Sequence, residues 1–210
     1  MLNLEVISLP VGQMKANCYL VINKKTRETV IIDSGDDAEY LENIIRDKNA
    51  KPVEIICTHG HFDHCGAALE LQLAYSIPFA INKNDEFLLA NNRKSAQYYL
   101  GLDIGPKPQS KNYLKNNDKI NIGNEQLTVV ETPGHTPGSI CLYSPKENII
   151  FTGDLIFAEG GRGRTDFSYS ETGLLLKSIV KIKKLPKATL AYPGHGEKFF
   201  LQNQQLIANS

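Results

Sequence analysis

The positions of the histidines constrain this chain more than any other feature of its sequence. The chain contains five histidines, and each lies in a glycine-bearing loop that follows an apolar segment with strand character. Loops at the ends of strands can bring side chains from distant parts of a sequence to one edge of a sheet. The five residues are His59, His61, His64, His135 and His195.

Two aspartates accompany the histidines. Asp63 lies inside the first cluster, and Asp154 follows another predicted strand. Imidazole and carboxylate ligands suit zinc, iron and manganese, and no thiolate is needed. His59 and His61 can point to one side of an extended turn, whereas Asp63 and His64 can face a second metal ion. The carboxylate of Asp154 could bridge two cations roughly 3.5–4 Å apart. Hydrogen-bonded structural histidines are the alternative, but five in one context favour a metal site.

The order of the predicted elements indicates an α/β protein. Short apolar runs predict strands at residues 6–9, 18–22, 29–33, 53–57, 78–81, 126–131, 139–143, 148–152 and 189–192. Helices are predicted at 38–48, 65–74, 85–100 and 172–184, and residues 101–117 are predicted to form a loop. This order favours two sheets covered by outer helices over a doubly wound parallel sheet. We expect one domain over residues 1–210.

Composition argues against several classes of partner. The formal net charge is +0, with 23 basic and 23 acidic residues, so we expect no nucleic-acid partner. The first residues lack the features of a signal peptide, and no apolar run reaches the ~18 residues of a membrane span. We therefore expect no membrane association and a cytoplasmic location. The four cysteines are widely spaced and are predicted to be buried thiols rather than a disulfide framework.

The five histidines and two aspartates named above, which we call the metal-type residues, resemble the motifs of the metallo-β-lactamase superfamily in their order and sequence context. The resemblance runs from Asp33 to His195 and implies a four-layer αββα sandwich with the metal site at one edge of the sheets. It implies that one divalent metal ion is held by His59, His61 and His135. It implies that a second ion is held by Asp63, His64 and His195, with Asp154 between the two ions.

The resemblance also implies the supporting residues and the kind of metal. Asp33 would support the metal loop by hydrogen bonding, although it could instead cap the following helix. Zinc is the favoured metal, with iron or manganese as alternatives. Cys65, next to His64, is predicted to pack in a helix without taking part in the chemistry.

Within this superfamily, the chain is most similar to short, single-domain proteins of the glyoxalase II (hydroxyacylglutathione hydrolase) type. They share a loop like the one from Gly161 to Phe167. The resemblance implies hydrolysis of thioesters such as S-lactoylglutathione by a metal-bridging hydroxide, which Asp63 would orient. Arg164 is the candidate for binding a substrate carboxylate, unless Arg162, Arg164 and Asp166 form a structural ion-pair loop. Only a short segment follows His195, so the glutathione contacts of a C-terminal helical domain are not expected.

Other functions stay open from the sequence. Persulfide dioxygenases of the superfamily have a similar Gly-Arg-Thr-Asp-Phe stretch and need one iron, for which the ligands here would be His59, His135 and Asp154. A metal-binding protein with an inert site is a second alternative. Antibiotic hydrolysis is disfavoured because the common zinc β-lactamases have a cysteine at the position of Asp154. The segment 98–100 is predicted to lie at an interface or over the site.

Overall fold

Successive apolar side chains along the strands point to opposite faces of their sheet, and both faces of each sheet are buried. Along the strand Glu28–Ile32, Ile31 packs with the outer helices, whereas Val30 and Ile32 pack against the opposite sheet. The computed structural model describes residues 2–203, with the backbone alone at residues 111 and 112. Part of the short segment after His195, residues 204–210, lies outside this range.

The first sheet contains six strands in the order β1-β2-β3-β4-β5-β6. These strands are β1 (Leu4–Val11), β2 (Ala16–Asn23), β3 (Glu28–Ile32), β4 (Lys51–Ile56), β5 (Phe79–Ile81) and β6 (Ser110–Tyr113). The first three strands are antiparallel, and β3 to β6 are parallel to one another.

The second sheet also contains six strands, in the order β12-β11-β10-β9-β8-β7. They are β7 (Lys119–Ile122), β8 (Glu125–Glu131), β9 (Ile140–Ser144), β10 (Ile149–Gly153), β11 (Leu190–Pro193) and β12 (Phe199–Phe200). Only β10 and β11 pair in parallel within this sheet, among the described residues.

Helices cover the outer faces of both sheets. They are α1 (Ala38–Asp47), α2 (Phe62–Cys65), α3 (Ala68–Tyr75), α4 (Glu86–Leu100) and α5 (Thr172–Ile182). One apolar core joins α1, α3 and α4 to the first sheet, a second lies between the sheets, and a third joins α5 to the second sheet. The αββα sandwich implied by the resemblance is therefore confirmed.

Some details differ from the sequence-based expectations. The predicted loop at 101–117 was wrong in part, because it contains β6, which pairs in parallel with β5. The sequence of β6 is mostly polar, as an edge strand permits, so it lacks the apolar alternation that identifies strands. The helix predicted at 65–74 corresponds to α3, which begins at Ala68, and a separate short helix, α2, ends at Cys65. All four cysteines are buried thiols, as predicted. Among the described residues, no helix is long and apolar enough to cross a membrane.

The topology brings the histidine loops to one edge. β8 and β10 run in the same direction because both are antiparallel to β9, and β11 is parallel to β10. The loops after these three strands therefore lie together. The loop after β4 meets the second sheet across the sandwich, where Ile140 N–H donates to the Thr58 carbonyl (2.9 Å). The start of β2 meets the loop after β11, where Asn17 N–H donates to the Gly194 carbonyl (2.7 Å).

Candidate metal centre

Three histidine side chains converge at the first part of the site. Nδ1 of His61 lies 3.1 Å from Nε2 of His59 and 3.1 Å from Nε2 of His135. Burial lowers the pKa of His59 well below its usual value, and burial together with the nearby His135 lowers the pKa of His61 to about 3. Both rings are therefore neutral near pH 7 and offer lone pairs to a cation.

A second group lies beside the first. Nε2 of His195 is 3.4 Å from Oδ2 of Asp63 and 3.3 Å from Nε2 of His64. Burial opposes protonation of His64, but Asp63 and Asp154 outweigh it and raise the pKa of His64 well above its usual value. A hydrogen bond with Asp63 likewise outweighs burial and raises the pKa of His195. Both shifts favour the protonated over the neutral imidazoles in this group when no metal is bound.

Asp154 lies between the two groups. Its Oδ2 is 3.6 Å from Nε2 of His135 and 3.7 Å from Nε2 of His195, and its Oδ1 is 3.5 Å from Nε2 of His64. The ligand-type atoms form overlapping sets, each within 4.8 Å, namely His59 with His61 and His135, His59 with His64 and Asp154, and Asp63 with His64 and His195. The structure thus brings together all seven residues that the sequence singled out as ligands.

The donor set fits metal ions. Asp154 Oδ1 is buried and has no hydrogen-bond partner among the described residues, which is costly unless a cation binds it. A Cβ added at Gly194 would lie 2.1 Å from this oxygen, so the backbone leaves room only for glycine there. Nitrogen and carboxylate donors of this kind suit zinc, iron or manganese.

The nitrogens that face away from the centre also have partners. His59 Nδ1 lies 3.1 Å from the Thr58 hydroxyl, and His135 Nδ1 lies 2.8 Å from the Arg164 carbonyl. His61 Nε2 lies 2.8 Å from the hydroxyl of Tyr169. Such contacts fix which ring nitrogen is left free to bind a metal.

Asp33 is buried beneath the first histidine loop. Its carboxylate accepts hydrogen bonds from the Thr58 N–H (2.7 Å) and the Thr58 hydroxyl (2.8 Å), and it lies 3.1 Å from Nδ1 of His64. It does not cap α1, whose N-cap residue is Asp37. These contacts are those of a residue that supports the loop.

Asp85 is a buried carboxylate that the sequence interpretation missed. Its Oδ2 accepts from the Gly60 N–H (2.8 Å) and the Thr136 hydroxyl (2.6 Å), and its Oδ1 accepts from the Gly138 N–H (2.6 Å). Burial raises the pKa of Asp85, and these three donors oppose the rise. Asp85 thereby ties the loop of His59 to the loop of His135. Its position just after β5 is the signal that could have identified it.

A cavity of about 650 Å³ opens beside the ligand residues. The candidate ligands His61, Asp63, His135, Asp154 and His195 form part of its wall, and Phe62, Phe87, Tyr99, Phe157, Phe167 and Tyr169 supply aromatic surface. Tyr99 places part of the segment 98–100 at this cavity. Its volume is in the range of sites for small molecules.

The arginine loop lies at the same cavity. Arg164 lines it, and the Arg164 Nε donates to Asp166 Oδ1 at 2.6 Å in a two-point ion pair. The guanidinium also lies 4.5 Å from the centre of the Phe167 ring. The expected pairing of Arg164 with Asp166 is present, whereas Arg162 takes no part in it.

The fold and the donor set define an α/β protein with a site for divalent metal ions between two sheets. The sequence profile of the metallo-beta-lactamase superfamily matches residues 11–195. The chain therefore belongs to the metallo-beta-lactamase superfamily.

Individual relatives resemble the chain over nearly its whole length. The hydroxyacylglutathione hydrolase GloC of Haemophilus influenzae is 30% identical over 93% of this chain and 91% of its own length. The crystal structure of the B3 metallo-beta-lactamase BLEG-1 is 33% identical, covers 95% of both chains and has a TM-score of 0.87. That of TTHA1623 in a di-iron-bound form is 30% identical, covers 93% of this chain and 95% of its own, and has a TM-score of 0.85.

Proposed function

We propose that this chain is a metal-dependent hydrolase of thioesters such as S-lactoylglutathione. The observation that carries the proposal is that the metal-type residues form one wall of a cavity large enough for a small molecule. The similarity to a hydroxyacylglutathione hydrolase supports the choice of a thioester.

In this proposal, His59, His61 and His135 hold one metal ion. Asp63, His64 and His195 would hold a second ion, and the Asp154 carboxylate, which lies between the two groups of side chains, would be available to both. Bound divalent ions lower the pKa of a water molecule toward ~7 and polarise a carbonyl oxygen. Zinc is the favoured metal, and the di-iron form of TTHA1623 makes iron the first alternative to test.

Asp63 would orient the attacking water. It lines the cavity, and although burial raises its pKa, in the metal-free chain His64 and the hydrogen bond from His195 outweigh burial and hold the pKa below its usual range. In the loaded site, bound cations would act on Asp63 in the same direction. A carboxylate that stays ionised is a strong hydrogen-bond acceptor and a weak base. Asp63 would therefore accept a hydrogen bond from the attacking hydroxide, which forms when that water loses one proton to solvent. The hydroxide oxygen would bond to the thioester carbonyl carbon, and the carbon–sulfur bond would then break, leaving a carboxylic acid and a thiolate.

Arg164 is the candidate for binding an acidic group of the substrate. Its guanidinium is already paired with Asp166, so a substrate carboxylate has to compete with that pair. Arg162 also lines the cavity. The proposal therefore commits to a thioester and leaves glutathione as the first thiol carrier to test.

The test combines elemental analysis with hydrolysis of S-lactoylglutathione on one preparation. We expect about two metal ions per chain, turnover that a chelator abolishes and zinc restores, and a loss of at least 10²-fold in kcat for Asp63→Asn. Asp47→Asn is the matched control, because Asp47 is exposed at the end of α1 and lies outside the cavity.

Other outcomes would contradict the proposal. One iron per chain with oxygen uptake on glutathione persulfide would favour a persulfide dioxygenase. Hydrolysis of a β-lactam in preference to every thioester would favour an activity like that of BLEG-1. Bound metal without turnover of any of these substrates would favour an inert metal-binding protein.

A further inference from the structure

Tyr169 contacts the candidate metal ligand His61 and lies in a segment that contains none of the candidate ligands. Its hydroxyl oxygen lies 2.8 Å from Nε2 of His61. The other ring nitrogen of His61, Nδ1, is the one that faces His59 and His135. A lone pair on Nδ1 requires the ring proton to be on Nε2, so Nε2–H donates to the tyrosine oxygen.

The hydroxyl proton of Tyr169 is then free to donate elsewhere. Among the described residues, His61 is the one hydrogen-bond partner of this hydroxyl. Tyr169 also lines the cavity. A phenol is protonated near neutral pH and can act as both donor and acceptor. The hydroxyl therefore has a proton free to donate to a molecule bound in this cavity.

The surrounding contacts hold the tyrosine ring in place. Its ring stacks on Phe167 with centres 5.1 Å apart and meets the edge of Phe87 at 5.5 Å. The backbone of the segment is fixed as well, since the Ser170 hydroxyl donates to the His135 carbonyl (2.6 Å) and Glu171 N–H donates to the Gly134 carbonyl (2.8 Å). The position of Tyr169 is thus set by the same loop that carries His135.

We propose that the Tyr169 hydroxyl connects the metal centre to the substrate, accepting Nε2–H of His61 and donating to an oxygen atom of the bound substrate. The second half of this proposal rests on the proposed thioester hydrolysis, whereas the first half concerns metal binding alone. Tyr169 positions His61 through the first contact and acts as a specificity-determining group through the second.

The test is Tyr169→Phe, which removes the hydroxyl and keeps the stacked ring. The matched control is Tyr98→Phe, because Tyr98 is 83% exposed on α4 and lies outside the cavity. Zinc affinity is measured by competition with a chromophoric chelator, and the Co²⁺-substituted protein gives an absorption spectrum of the ligand field. Loss of an outer hydrogen-bond partner weakens metal binding about 10- to 100-fold in other sites, so we expect at least a 10-fold loss for one of the two ions.

The kinetic readout uses S-lactoylglutathione at saturating zinc. We expect kcat/KM to fall about 10-fold for Tyr169→Phe, as for a lost hydrogen bond, and to be unchanged for Tyr98→Phe. Unchanged zinc affinities and an unchanged Co²⁺ spectrum would overturn the proposal. A fall in affinity with unchanged kcat/KM would overturn its substrate half. If the natural protein hydrolyses no thioester, the proposed function fails, and the zinc affinities alone decide whether Tyr169 positions His61.

Discussion

Substitutions of Asp85 offer the sharpest test of how the two histidine loops are held together. In Asp85→Ala, the donors of Gly60, Thr136 and Gly138 lose their acceptor in a buried place. In Asp85→Asn, the amide oxygen can still accept from Gly60 and Thr136, but the NH₂ group faces the Gly138 N–H. The first variant therefore leaves the Gly60 and Gly138 N–H groups unpaired, whereas the Thr136 hydroxyl keeps Ser139 Oγ at 2.7 Å. The second leaves the Gly138 N–H unpaired, opposite the new NH₂ group.

These counts set the expected magnitudes. A buried donor without a partner costs about 1–3 kcal/mol, and partial entry of water keeps the sum below the simple total. We expect Asp85→Ala to lower the free energy of unfolding by about 3–5 kcal/mol and Asp85→Asn by about 1–3 kcal/mol. Native proteins have free energies of unfolding of ~5–15 kcal/mol. A protein in the upper part of that range stays folded after either loss, so the folded variants can be assayed.

The measurement is urea unfolding of the metal-free protein, followed by zinc titration of the folded variants. Zinc affinity should fall in the same order, because Gly60 separates two ligands and Thr136 follows a third. Asp47→Asn, on the surface, should change the free energy of unfolding by less than about 0.5 kcal/mol. Equal stability of Asp85→Asn and the natural protein would show that Asp85 is a neutral acid in the fold. An unchanged Asp85→Ala would refute the reasoning altogether.

Three further predictions concern the metal ligands. Gly194→Ala should weaken zinc binding about 10-fold or more, because the added Cβ would lie 2.1 Å from Asp154 Oδ1. The control is Gly173→Ala in α5, which should leave zinc affinity unchanged and raise the free energy of unfolding by about 0.5–1 kcal/mol. Stripping the metals should lower the melting temperature, by about 5 °C or more per site when zinc stands at about 100 times its Kd. The raised pKa values of His64 and His195 mean that metal must displace protons there, so the affinity of this group should rise with pH and its binding should release protons, measured by calorimetry in two buffers.

Much of the centre could be predicted from the sequence because its chemistry restricts the residue types. Few side chains bind divalent transition metals, and here they follow apolar runs that are easily identified as strands. The same reasoning could have reached Asp85, which lies in the short helical turn after β5, although Asp33 follows β3 directly. The alternation in β7, where Ile120 and Ile122 are buried between exposed neighbours, was likewise a usable signal that the prediction missed.

Apart from Asp33, which the resemblance implied, the partners of the imidazoles could not be predicted, and the reason is chemical. One task, fixing the outward nitrogen of a ring, is done here by the hydroxyl of Thr58, the carboxylate of Asp33, the backbone carbonyl of Arg164 and the phenol of Tyr169. Any group that hydrogen-bonds can do it, so no residue type marks the position. Tyr169 reaches His61 from 108 residues away, and only the packing of its loop on the His135 loop brings them together. The candidate ligands of such a centre can therefore be predicted from residue types in the sequence, whereas the groups that orient them can be identified only from the fold.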